Sequence, residues 1–586
     1  MGIYKVEGAR PWHKAWPKGV PKNLDIPEKT IYEMFEDTVK RFPNNTALIF
    51  EGKKITYAEL DKYSSSFANF LQNEIGIKKG DRVAIYLPNT PQFAIAFFGI
   101  LKAGGIVVPH NPLYVERELE HQLNDSGSKA IITLDRVGDI SFVDRVLAVK
   151  DKTPIEHIIV TNIGDFLPGV KAFLGRLLGK VPKKQKIPGT YDLMEILKNY
   201  PPEYKKVDIN PIEDVALLQY TGGTTGVPKG AMLTHTNMVS DALFVKAWGN
   251  VNEKDIMMGV LPFFHIYGLT VSFVTSMLSG AAVVVVPRFE TKHVLELVQK
   301  YKVTFFPGVP TIYVAIINYP EVQKYKLTTI RACISGAAPL PVVVRKKFME
   351  LTGGLLVEGY GLSEASPVTH VNPLDDPKKI KDGSIGIPFP NTDAKIVDVE
   401  TGEELPIGEV GELVVKGPQV MKGYWNMPEE TAKVLKDGWL HTGDIAKMDE
   451  DGYFYIVDRK KDMINAAGYK VWPREIEEVL YKHPAVKEAA VIGVPDPYRG
   501  ETVKAYIVPK DEYKDALTDE TKKQQLIQDL EKFCRDHLAA YKVPKLWEFR
   551  DELPKSLVGK ILRRVLKEEE QAKEARVETK EEKESE

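Results

Sequence analysis

Short apolar runs alternate with helical patterns from about residue 30 to residue 340, and this alternation constrains the fold more than any other feature. RVAIYLPN (82–89) predicts a strand, PQFAIAFFGILKAGG (91–105) a helix closed by glycines, and KAIITL (129–134) the next strand. The pattern recurs around VALLQYTGG, MMGVLPFFH, AVVVVPRF, VTFFPGVP and RACISGAAP. Strand–helix alternation predicts parallel sheets covered by helices, which is the α/β class.

The start of one helix is marked by its capping residues. ALIFEGKKITYAEL (47–60) predicts a hairpin that turns at Gly52, followed by a helix that begins after Thr56. Glu59 lies three residues after Thr56, which is the spacing of a capping box.

The length of 586 residues exceeds what one hydrophobic core supports, so several domains are expected. From Lys395 the pattern changes, because KIVDVETGEELPIGEVGELVVKG alternates apolar and polar residues between glycine turns, which predicts antiparallel strands. A small α+β domain is predicted to begin near Arg459. The charged segment 566–586 has few apolar side chains to bury and is predicted to be disordered or a solvated helix.

Composition excludes several classes of protein. The net charge of -2 gives no basic field of the kind that binds nucleic acid. Cys333 and Cys534, the only two cysteines, form no disulfide framework or metal cage and fit a reducing compartment. The first twenty residues lack the apolar core of a secretory signal, and AAVVVV (281–286) is too short to span a bilayer and predicts a buried strand. A cytoplasmic protein is expected.

One segment suggests contact with a membrane surface. Residues 166–186, FLPGVKAFLGRLLGKVPKKQK, combine apolar side chains at helical spacing with six lysines or arginines. A basic amphipathic helix of this kind binds anionic lipid, so peripheral membrane contact is one interpretation. The other is a surface helix packed on its own domain and followed by a solvated lysine loop.

A glycine-rich loop is the strongest local signal of function. Residues 220–230, YTGGTTGVPKG, follow the apolar strand VALLQ directly. Glycines let backbone amides approach an anion closely, while three threonines and Lys229 add donors and positive charge. The loop is not a Walker P-loop, because that motif ends in Gly-Lys-Ser/Thr whereas here Pro228 precedes Lys229 and Gly230 follows it. The sequence therefore predicts a phosphate-binding loop of another type.

This loop resembles the phosphate-binding signature of the acyl-adenylate-forming superfamily, which includes acyl-CoA synthetases, firefly luciferase and nonribosomal-peptide adenylation domains. Further signatures follow in family order and extend the resemblance over residues 30–564: PFFHIYG (262–268), ISGAAPL (334–340), EGYGLSEAS (358–366), GWLHTGD (438–444), DRKKDMINAAGYKVWPREIE (458–477) and PKSLVGKILRR (554–564). The resemblance implies a large N-terminal domain (1–458) of two α/β subdomains plus a β-rich subdomain. A small mobile α+β C-terminal domain (459–565) would follow.

The resemblance also implies a chemistry, in which ATP and a carboxylic acid form an acyl-adenylate. Both reactants are anions, so the barrier is charge repulsion, which positioned cations and donors reduce. Lys560 matches the catalytic lysine that bridges the carboxylate and the α-phosphate, and His265 matches a residue between the acyl pocket and the nucleotide. Glu364 matches the Mg²⁺-binding carboxylate, with Thr221 as a second candidate ligand.

The residues that match the family's nucleotide and coenzyme A positions share donor groups, small side chains or a flat ring. Tyr360 offers a face for adenine, Asp444 suits the ribose hydroxyls, and Arg459 resembles the basic residue that assists it. The full set is Thr221, Gly222, Gly223, Thr224, Thr225, Gly226, Lys229, Gly336, Ala337, Glu358, Gly359, Tyr360, Ser363, Asp444, Arg459, Lys461 and Gly468. Ser363 replaces a threonine that is more common in relatives and keeps the hydroxyl.

The resemblance implies coenzyme A as the thiol and a rotation of the C-terminal domain between the two reactions. Lys461 matches the hinge, and Gly468 matches a glycine that opens the pantetheine path. Asn465 replaces a lysine found in several relatives, which puts any role of that site in thioester formation in doubt. The segments DRKKDMI, GYKVWPREIEEVL and GVPDPYRGETVKAYIV look most like prokaryotic long-chain fatty-acid–CoA ligases. A buried methylene contributes only about 0.8 kcal/mol, so neighbouring chain lengths are expected to be accepted.

Two other functions stay open at this level. One is adenylation of another acid, aryl or medium-chain, or transfer to the thiol of a carrier protein, although no carrier domain with its phosphopantetheine serine is evident in the sequence. The other is a nucleotide-binding protein without catalysis. Similar enzymes suggest a homodimer, and no nucleic-acid partner is expected.

Overall fold

The computed structural model describes residues 3–178, 181–182, 184, 186–221, 228–466, 469–496, 500–555 and 561–573. Its helices are α1 Ile31–Arg41, α2 Tyr57–Asn73, α3 Pro91–Lys102, α4 Glu116–Ser126, α5 Phe142–Lys150, α6 Gly169–Leu177, α7 Leu193–Asn199, α8 His235–Gly249, α9 Thr275–Ser279, α10 Thr291–Tyr301, α11 Pro310–Ile317, α12 Val342–Thr352, α13 Pro428–Val434, α14 Pro473–Leu480 and α15 Glu520–His537. Among the residues described, none of the helices has both the length and the apolar character needed to cross a bilayer.

The strands extend over almost the whole chain. They are β1 Thr46–Phe50, β2 Lys53–Thr56, β3 Arg82–Tyr86, β4 Ile106–Pro109, β5 Ala130–Leu134, β6 Arg136–Val137, β7 Ile140–Ser141, β8 His157–Thr161, β9 Tyr191–Asp192, β10 Val215–Thr221, β11 Lys229–Thr234, β12 Ile256–Gly259, β13 Ala282–Val285, β14 Ala332–Ser335, β15 Leu355–Gly361, β16 Val368–Val371, β17 Ile387–Pro388, β18 Asp393–Val397, β19 Gly411–Lys416, β20 Gly423–Tyr424, β21 Leu435–Lys436, β22 Trp439–Met448, β23 Phe454–Arg459, β24 Ile464–Ala466, β25 Tyr469–Val471, β26 Val486–Asp496, β27 Gly500–Pro509 and β28 Leu546–Phe549.

The chain divides into two compact units. The first contains Met1–Ala394, Val415–His441 and Asp451–Tyr453, and the second contains Lys395–Val414, Thr442–Glu450 and Phe454–Glu586. The predicted α/β class, with a large N-terminal part and a small C-terminal part, is confirmed. The units are defined by packing alone, so the boundary between residues 458 and 459 and the mobility of the C-terminal domain stay predictions.

Two sheets organise the first unit. The larger has strand order β20-β11-β10-β4-β3-β5-β8-β9, parallel from β10 to β9, with β10, β11 and β20 antiparallel. In the second sheet β12, β13 and β1 run parallel and β2 is antiparallel to β1, and β14 to β17 form a further four-stranded group. The buried β13 confirms that AAVVVV is a strand. Central strands such as β5 are buried throughout, as expected where helices cover both faces.

Helices α2 and α3 form part of the helical layer of the first unit. The predicted capping box of α2 is present, because Thr56 accepts from the Glu59 N–H and the Glu59 side chain accepts from the Thr56 N–H. Helix α3 is apolar on all sides and buried along its length. Its Lys102 is buried too and donates to Asp61 at 2.6 Å, which provides the partner that a buried cation requires.

The second unit contains a compact α+β fold. Its sheet has strand order β25-β24-β27-β26. Strand β28 also pairs with β27 and runs parallel to it. The apolar residues of β26 and β27 alternate, and one set packs with α14 and α15 in a core that includes Ile476, Leu480, Val491, Leu530 and Cys534. A second cluster on the opposite face includes Leu553 and Leu566.

The predicted disordered or solvated tail is helical at its start. Residues 563–573 form a helix in which Leu566 is buried, and Lys504 binds Glu570 at 2.7 Å. One apolar side chain and several ion pairs are thus enough to hold this part of the tail on the second unit, which composition alone did not reveal. The remaining tail residues, 574–586, lie outside the described residues.

Candidate active site

The ends of the glycine-rich loop are held by a hairpin at one side of the large sheet. Strand β10 leads into the loop and β11 leads out, with Thr221 paired to Lys229 and Tyr220 paired to Gly230. Buried Leu217 and Leu218 fix β10 beside β4. The predicted residues Gly222, Gly223, Thr224, Thr225 and Gly226 lie outside the described residues, so only Thr221 and Lys229 of this loop have a described position.

Lys229 lies in a cluster with an acid and an aromatic ring. Its ammonium group contacts the carboxylate of Glu430 on α13 and lies 5.2 Å from the centre of the Tyr424 ring. Hydrogen bonds from Lys229 and then Lys433 lower the pKa of Glu430 to about 2. The first unit therefore places one cation directly beside the loop, with a half-buried carboxylate as its partner.

Glu364 joins the same cluster through Tyr424. The Tyr424 hydroxyl donates to Glu364 Oε1 at 2.7 Å, and the backbone of Tyr424 pairs with Ala231 on β11. Burial, and next the charge of Glu364, raise the pKa of Tyr424, so its hydroxyl stays protonated and available as a donor. Lys229 and Glu364, which lie far apart in sequence, are thus linked by Tyr424 of the short strand β20, and Thr221 is paired with Lys229 across the hairpin.

The cluster offers few protein ligands to a metal. Within the ranges that the structure describes, no group of three or more His, Cys, Asp or Glu side chains is arranged to hold an ion. Glu364 is partly exposed and presents carboxylate oxygens. Mg²⁺ is commonly bound through one or two carboxylates while it keeps several waters, so a single carboxylate fits that ion and does not fit a zinc cage.

The residues predicted to surround the base come together where β14 meets β15. These parallel strands place Ser335 beside Glu358, and the Leu340 N–H donates to the Glu358 carboxylate at 3.3 Å. Gly336 lies so close to the Tyr267 ring that a Cβ would come within 3.1 Å of it. Ala337 has φ of +67°, a turn conformation that few non-glycine residues adopt. The sheet therefore forms a close-packed wall at this point.

Tyr360 and Gly359 continue this wall along β15. Tyr360 is half-buried and lies opposite His370 of β16, with 6.1 Å between ring centroids. Gly359 packs against Ile334 and Val371, where a Cβ would meet atoms at 3.0 and 3.2 Å. Ser363 and Glu364 follow in the short helix Ser363–Ala365. One continuous segment thus connects the wall with the Glu364 carboxylate.

His265 lies in an ordered turn that follows β12. Its Nδ1 accepts a hydrogen bond from the Tyr267 N–H at 3.2 Å. Buried Asn89 holds the start of the turn, donating to Gly259 and Leu261 carbonyls and accepting from the Phe263 N–H. Gln219 of β10 donates to the Phe264 carbonyl at 3.2 Å, which links this turn to the strand that precedes the loop.

Sequence reasoning missed Gln219, Tyr424 and Glu430. Gln219 was part of the strand VALLQ, where its amide signals nothing by itself. Tyr424 and Glu430 lie 60 residues or more from their partners, so their role depends on the pairing of β20 with β11.

In the second unit, Asp444 and Arg459 face each other on neighbouring strands. They are paired between β22 and β23, and Arg459 Nε lies 3.4 Å from Asp444 Oδ1. The Asp444 N–H donates to Thr442 Oγ1, and Gly443, with φ of +71°, donates to Glu412. Lys461 lies in the short helix Lys460–Asp462 and is exposed. Gly468 and Lys560 lie outside the described residues.

Two models of known protein families match this chain. Residues 35–425 match the model of the AMP-binding enzyme family, and residues 475–560 match the AMP-binding enzyme C-terminal domain. A long-chain-fatty-acid–CoA ligase of Bacillus subtilis is 48% identical over 96% of this chain and 99% of its own length. A long-chain-fatty-acid–CoA ligase of Escherichia coli is 43% identical over 96% of this chain and 98% of its own length.

A solved structure has the same fold. ATP-bound MatB from Rhodopseudomonas palustris aligns with a TM-score of 0.77 and 30% identity, covering 92% of this chain and 99% of its own. The first family model alone covers more than half of the chain. The chain therefore belongs to the AMP-binding enzyme family.

Proposed function

We propose that this enzyme is an AMP-forming ligase that joins a long-chain fatty acid to coenzyme A at the expense of ATP. The observation that carries the proposal is near full-length similarity, at 48% and 43% identity, to two long-chain-fatty-acid–CoA ligases. In the first reaction an acid oxygen attacks the α-phosphorus, and pyrophosphate leaves. In the second the thiol sulfur attacks the acyl carbonyl, AMP leaves with its bonding electron pair, and the thiol proton passes to solvent.

The cluster in the first unit is proposed to hold the polyphosphate. Lys229 and Thr221 supply a cation and a hydroxyl, and Gly222, Gly223, Thr224, Thr225 and Gly226 of the loop are proposed to donate further hydrogen bonds. Glu364 would hold Mg²⁺, whose charge offsets that of the phosphates. The Tyr424 hydroxyl keeps Glu364 oriented towards the strand that carries Lys229, which supports this arrangement. Ser363 lies beside it.

The wall of β14 and β15 is proposed to bind adenine. Tyr360 supplies a ring face, while Gly336, Ala337, Glu358 and Gly359 shape the backbone around the base. The close contacts at Gly336 and Gly359 leave little room for a side chain, so the backbone itself forms this part of the wall. His265 is proposed to orient the carboxylate of the acid.

The C-terminal domain, 459–565, is proposed to rotate between the two reactions and to present different residues to the substrates in each. Lys560 would neutralise charge at the α-phosphate, and Lys461 would be the hinge. Gly468 would line the pantetheine path. Asp444, which lies just before this domain, and Arg459 would bind the ribose together. Their charged groups lie 3.4 Å apart, which supports a shared ligand.

Product analysis over a series of acids tests the proposed function. The enzyme is incubated with ATP, Mg²⁺, coenzyme A and straight-chain or aryl acids, and AMP and acyl-CoA are measured. Equal amounts of AMP and acyl-CoA with long-chain acids are expected. Selective turnover of aryl or medium-chain acids would replace the substrate assignment. AMP formation without any acyl-CoA would refute the thiol step.

The helix α6 is proposed to contact an anionic lipid surface. Val170, Phe173, Leu174, Leu177 and Leu178 are 46–74% exposed, whereas Ala172 on the same helix is buried. Four of these side chains lie on the nine-residue helix and Leu178 follows it directly, and together they form an apolar patch that water solvates poorly. The lysines around this helix have the charge that anionic lipid attracts, and the proposed substrate itself partitions into bilayers.

Vesicle flotation tests this surface. Wild type is expected to float with vesicles that contain an anionic phospholipid, and the double variant Phe173→Ser with Leu177→Ser is expected to stay in solution. Val343, which is 63% exposed on α12, provides the control Val343→Ser, expected to float like wild type. Equal flotation of the double variant and wild type would refute the lipid contact. Assembly as a homodimer also stays a prediction, and light scattering would test it.

A further inference from the structure

One aspartate of the first unit contacts two aromatic residues close to the glycine-rich loop. Asp125 lies in the last turn of α4 and is half-buried. Its Oδ2 accepts a hydrogen bond from the Tyr220 hydroxyl at 2.5 Å, and its backbone carbonyl accepts one from Trp425 Nε1 at 3.1 Å. Burial, and next the hydrogen bond to Asp125, raise the pKa of Tyr220, so its hydroxyl stays protonated and remains the donor. Asp125 therefore connects β10 with the residue that follows β20.

Both aromatic residues pack against the strand that carries Lys229. Tyr220 pairs with Gly230 across the hairpin, and the Trp425 N–H donates to the Gly230 carbonyl at 2.8 Å. A Cβ at Gly230 would lie 3.2 Å from the Tyr220 ring and 3.5 Å from the Trp425 side chain. Thr221 follows Tyr220 and Lys229 precedes Gly230, and these two neighbours are paired with each other. A shift of either aromatic residue would therefore move the backbone beside both proposed phosphate ligands.

The contact with Asp125 also fixes the end of β20. Tyr424 of this strand precedes Trp425, and its ring centre lies 5.2 Å from the Lys229 ammonium group. Its hydroxyl donates to Glu364 at 2.7 Å. The Asp125 carboxylate thus binds the strand that enters the loop, while the Asp125 carbonyl binds the strand that connects Lys229 with the proposed metal ligand.

The position of Asp125 is itself fixed by an arginine on β3. Arg82 donates to the Ser126 and Gly127 carbonyls at 2.6 and 2.9 Å, which provides partners for carbonyls at the C-terminal end of α4. Its guanidinium also lies 5.4 Å from the centre of the Trp425 ring. The aspartate is therefore held by the sheet that it connects to the loop hairpin.

We propose that Asp125 is a positioning residue for the polyphosphate of ATP. By accepting hydrogen bonds from β10 and from the residue after β20, it keeps the strands around Lys229 in register with the one that contacts Glu364. The inference rests on the proposed function, which assigns Lys229 to the phosphates and Glu364 to Mg²⁺. In this role Asp125 acts through its neighbours and contacts neither the phosphates nor the metal.

The test compares the affinities for ATP and AMP in Asp125→Ala, Asp125→Asn, Tyr220→Phe and Tyr86→Phe. AMP lacks the β- and γ-phosphates, so the ratio of the two affinities separates the polyphosphate from the rest of the nucleotide. Tyr86 is the matched control, because it is a fully buried tyrosine of the same sheet whose hydroxyl donates to the Tyr114 carbonyl at 2.6 Å. Calorimetric titration in the presence of Mg²⁺ measures both affinities, and urea denaturation measures stability.

Asp125→Ala and Tyr220→Phe are each expected to weaken ATP binding about 5–10-fold, the size expected for one lost hydrogen bond, and AMP binding less than about 2-fold. Loss of a negative charge would by itself tighten ATP binding, so weaker binding in Asp125→Ala reports position and not charge. Asp125→Asn keeps an oxygen that accepts from Tyr220 and should bind ATP within about 2-fold of wild type. The double variant Asp125→Ala with Tyr220→Phe should lose less than about 2-fold beyond either single variant. Tyr86→Phe should lose stability with an unchanged ratio of affinities.

An unchanged ratio of ATP to AMP affinity in Asp125→Ala or in Tyr220→Phe would overturn the proposal. An equal fall of that ratio in Tyr86→Phe, or in Asp125→Asn, would overturn it as well, because the effect would then not depend on the Asp125–Tyr220 hydrogen bond. If Asp125→Ala does not fold, Tyr220→Phe decides by the same ratio. Wild type that binds ATP but forms neither AMP nor acyl-CoA with any acid would instead refute the proposed function, which is a distinct outcome.

Discussion

The charged clusters around Lys229 and Arg563 differ in how completely the protein itself satisfies them. Lys229 has a half-buried carboxylate as partner, and that carboxylate is shared with an exposed lysine. Arg563 is enclosed by three acids, two of which, Asp458 and Glu477, also accept backbone hydrogen bonds. A cluster of the first kind can exchange its partners for a ligand, whereas one of the second kind fixes the fold. From this comparison we propose ligand binding for the first cluster and stabilisation of the fold for the second.

Among the effects on ATP binding, the largest is expected when Lys229 is replaced. Lys229→Met should weaken ATP binding about 10–100-fold, the loss expected for one charge-assisted contact to phosphate. The free energy of unfolding should change little, since the Glu430 carboxylate of this pair is partly exposed to water. Calorimetric titration with ATP and urea denaturation measure the two quantities.

Lys433→Met is the control, because Lys433 pairs with the same Glu430 but is 67% exposed. It should bind ATP like wild type. A large loss of stability with unchanged ATP affinity in Lys229→Met would reverse the assignment of the two clusters.

A smaller effect, on stability, is expected in the Arg563 cluster. Glu477→Gln should lower the free energy of unfolding by about 1–3 kcal/mol, because a buried hydrogen-bonded charge loses its pairing while Asp458 and Asp462 remain. Denaturant unfolding measures the change. Glu478→Gln, one residue away and 62% exposed, should cost less than about 0.5 kcal/mol. If the two variants are equally stable, the cluster is not the closed network described here.

The smallest effect concerns the partner of Lys229. Glu430→Gln should tighten ATP binding about 2–5-fold, because Lys229 no longer has to leave a carboxylate before it meets the phosphates. Titration with ATP at low and high salt measures the change, which should shrink as salt rises. Glu429→Gln, at the preceding position, is the control. Weaker binding in Glu430→Gln would mean that Glu430 orients Lys229 for the ligand.

Local patterns in the sequence predicted the elements that carry the site. The strand before the loop, the capping box at Thr56 and Glu59, and the buried strand of AAVVVV all depend on residues close together in the chain. The motif order identified the family. The Asp444–Arg459 contact was accessible only through that resemblance, since a lone turn aspartate signals nothing.

Contacts between residues that are distant in the chain could not be predicted from the sequence. Glu430 meets Lys229 because α13 and β20 are brought to the edge of the large sheet, and Arg563 lies 86 residues or more from each acid it binds. The helix at residues 563–573 was not predicted for the same reason, because the buried site of Leu566 is formed by strands that are distant in sequence. Such contacts follow from sheet topology, which local composition does not encode.

Exchange of labelled pyrophosphate into ATP, with a long-chain fatty acid and without coenzyme A, tests the central claim most directly. Wild type should exchange rapidly and only in the presence of acid. Lys560→Ala should lose at least about 100-fold in exchange while ATP affinity stays within about 3-fold, the behaviour of a cation that acts in the transition state. Exchange at the wild-type rate in Lys560→Ala, or no acid-dependent exchange in wild type, would contradict the account.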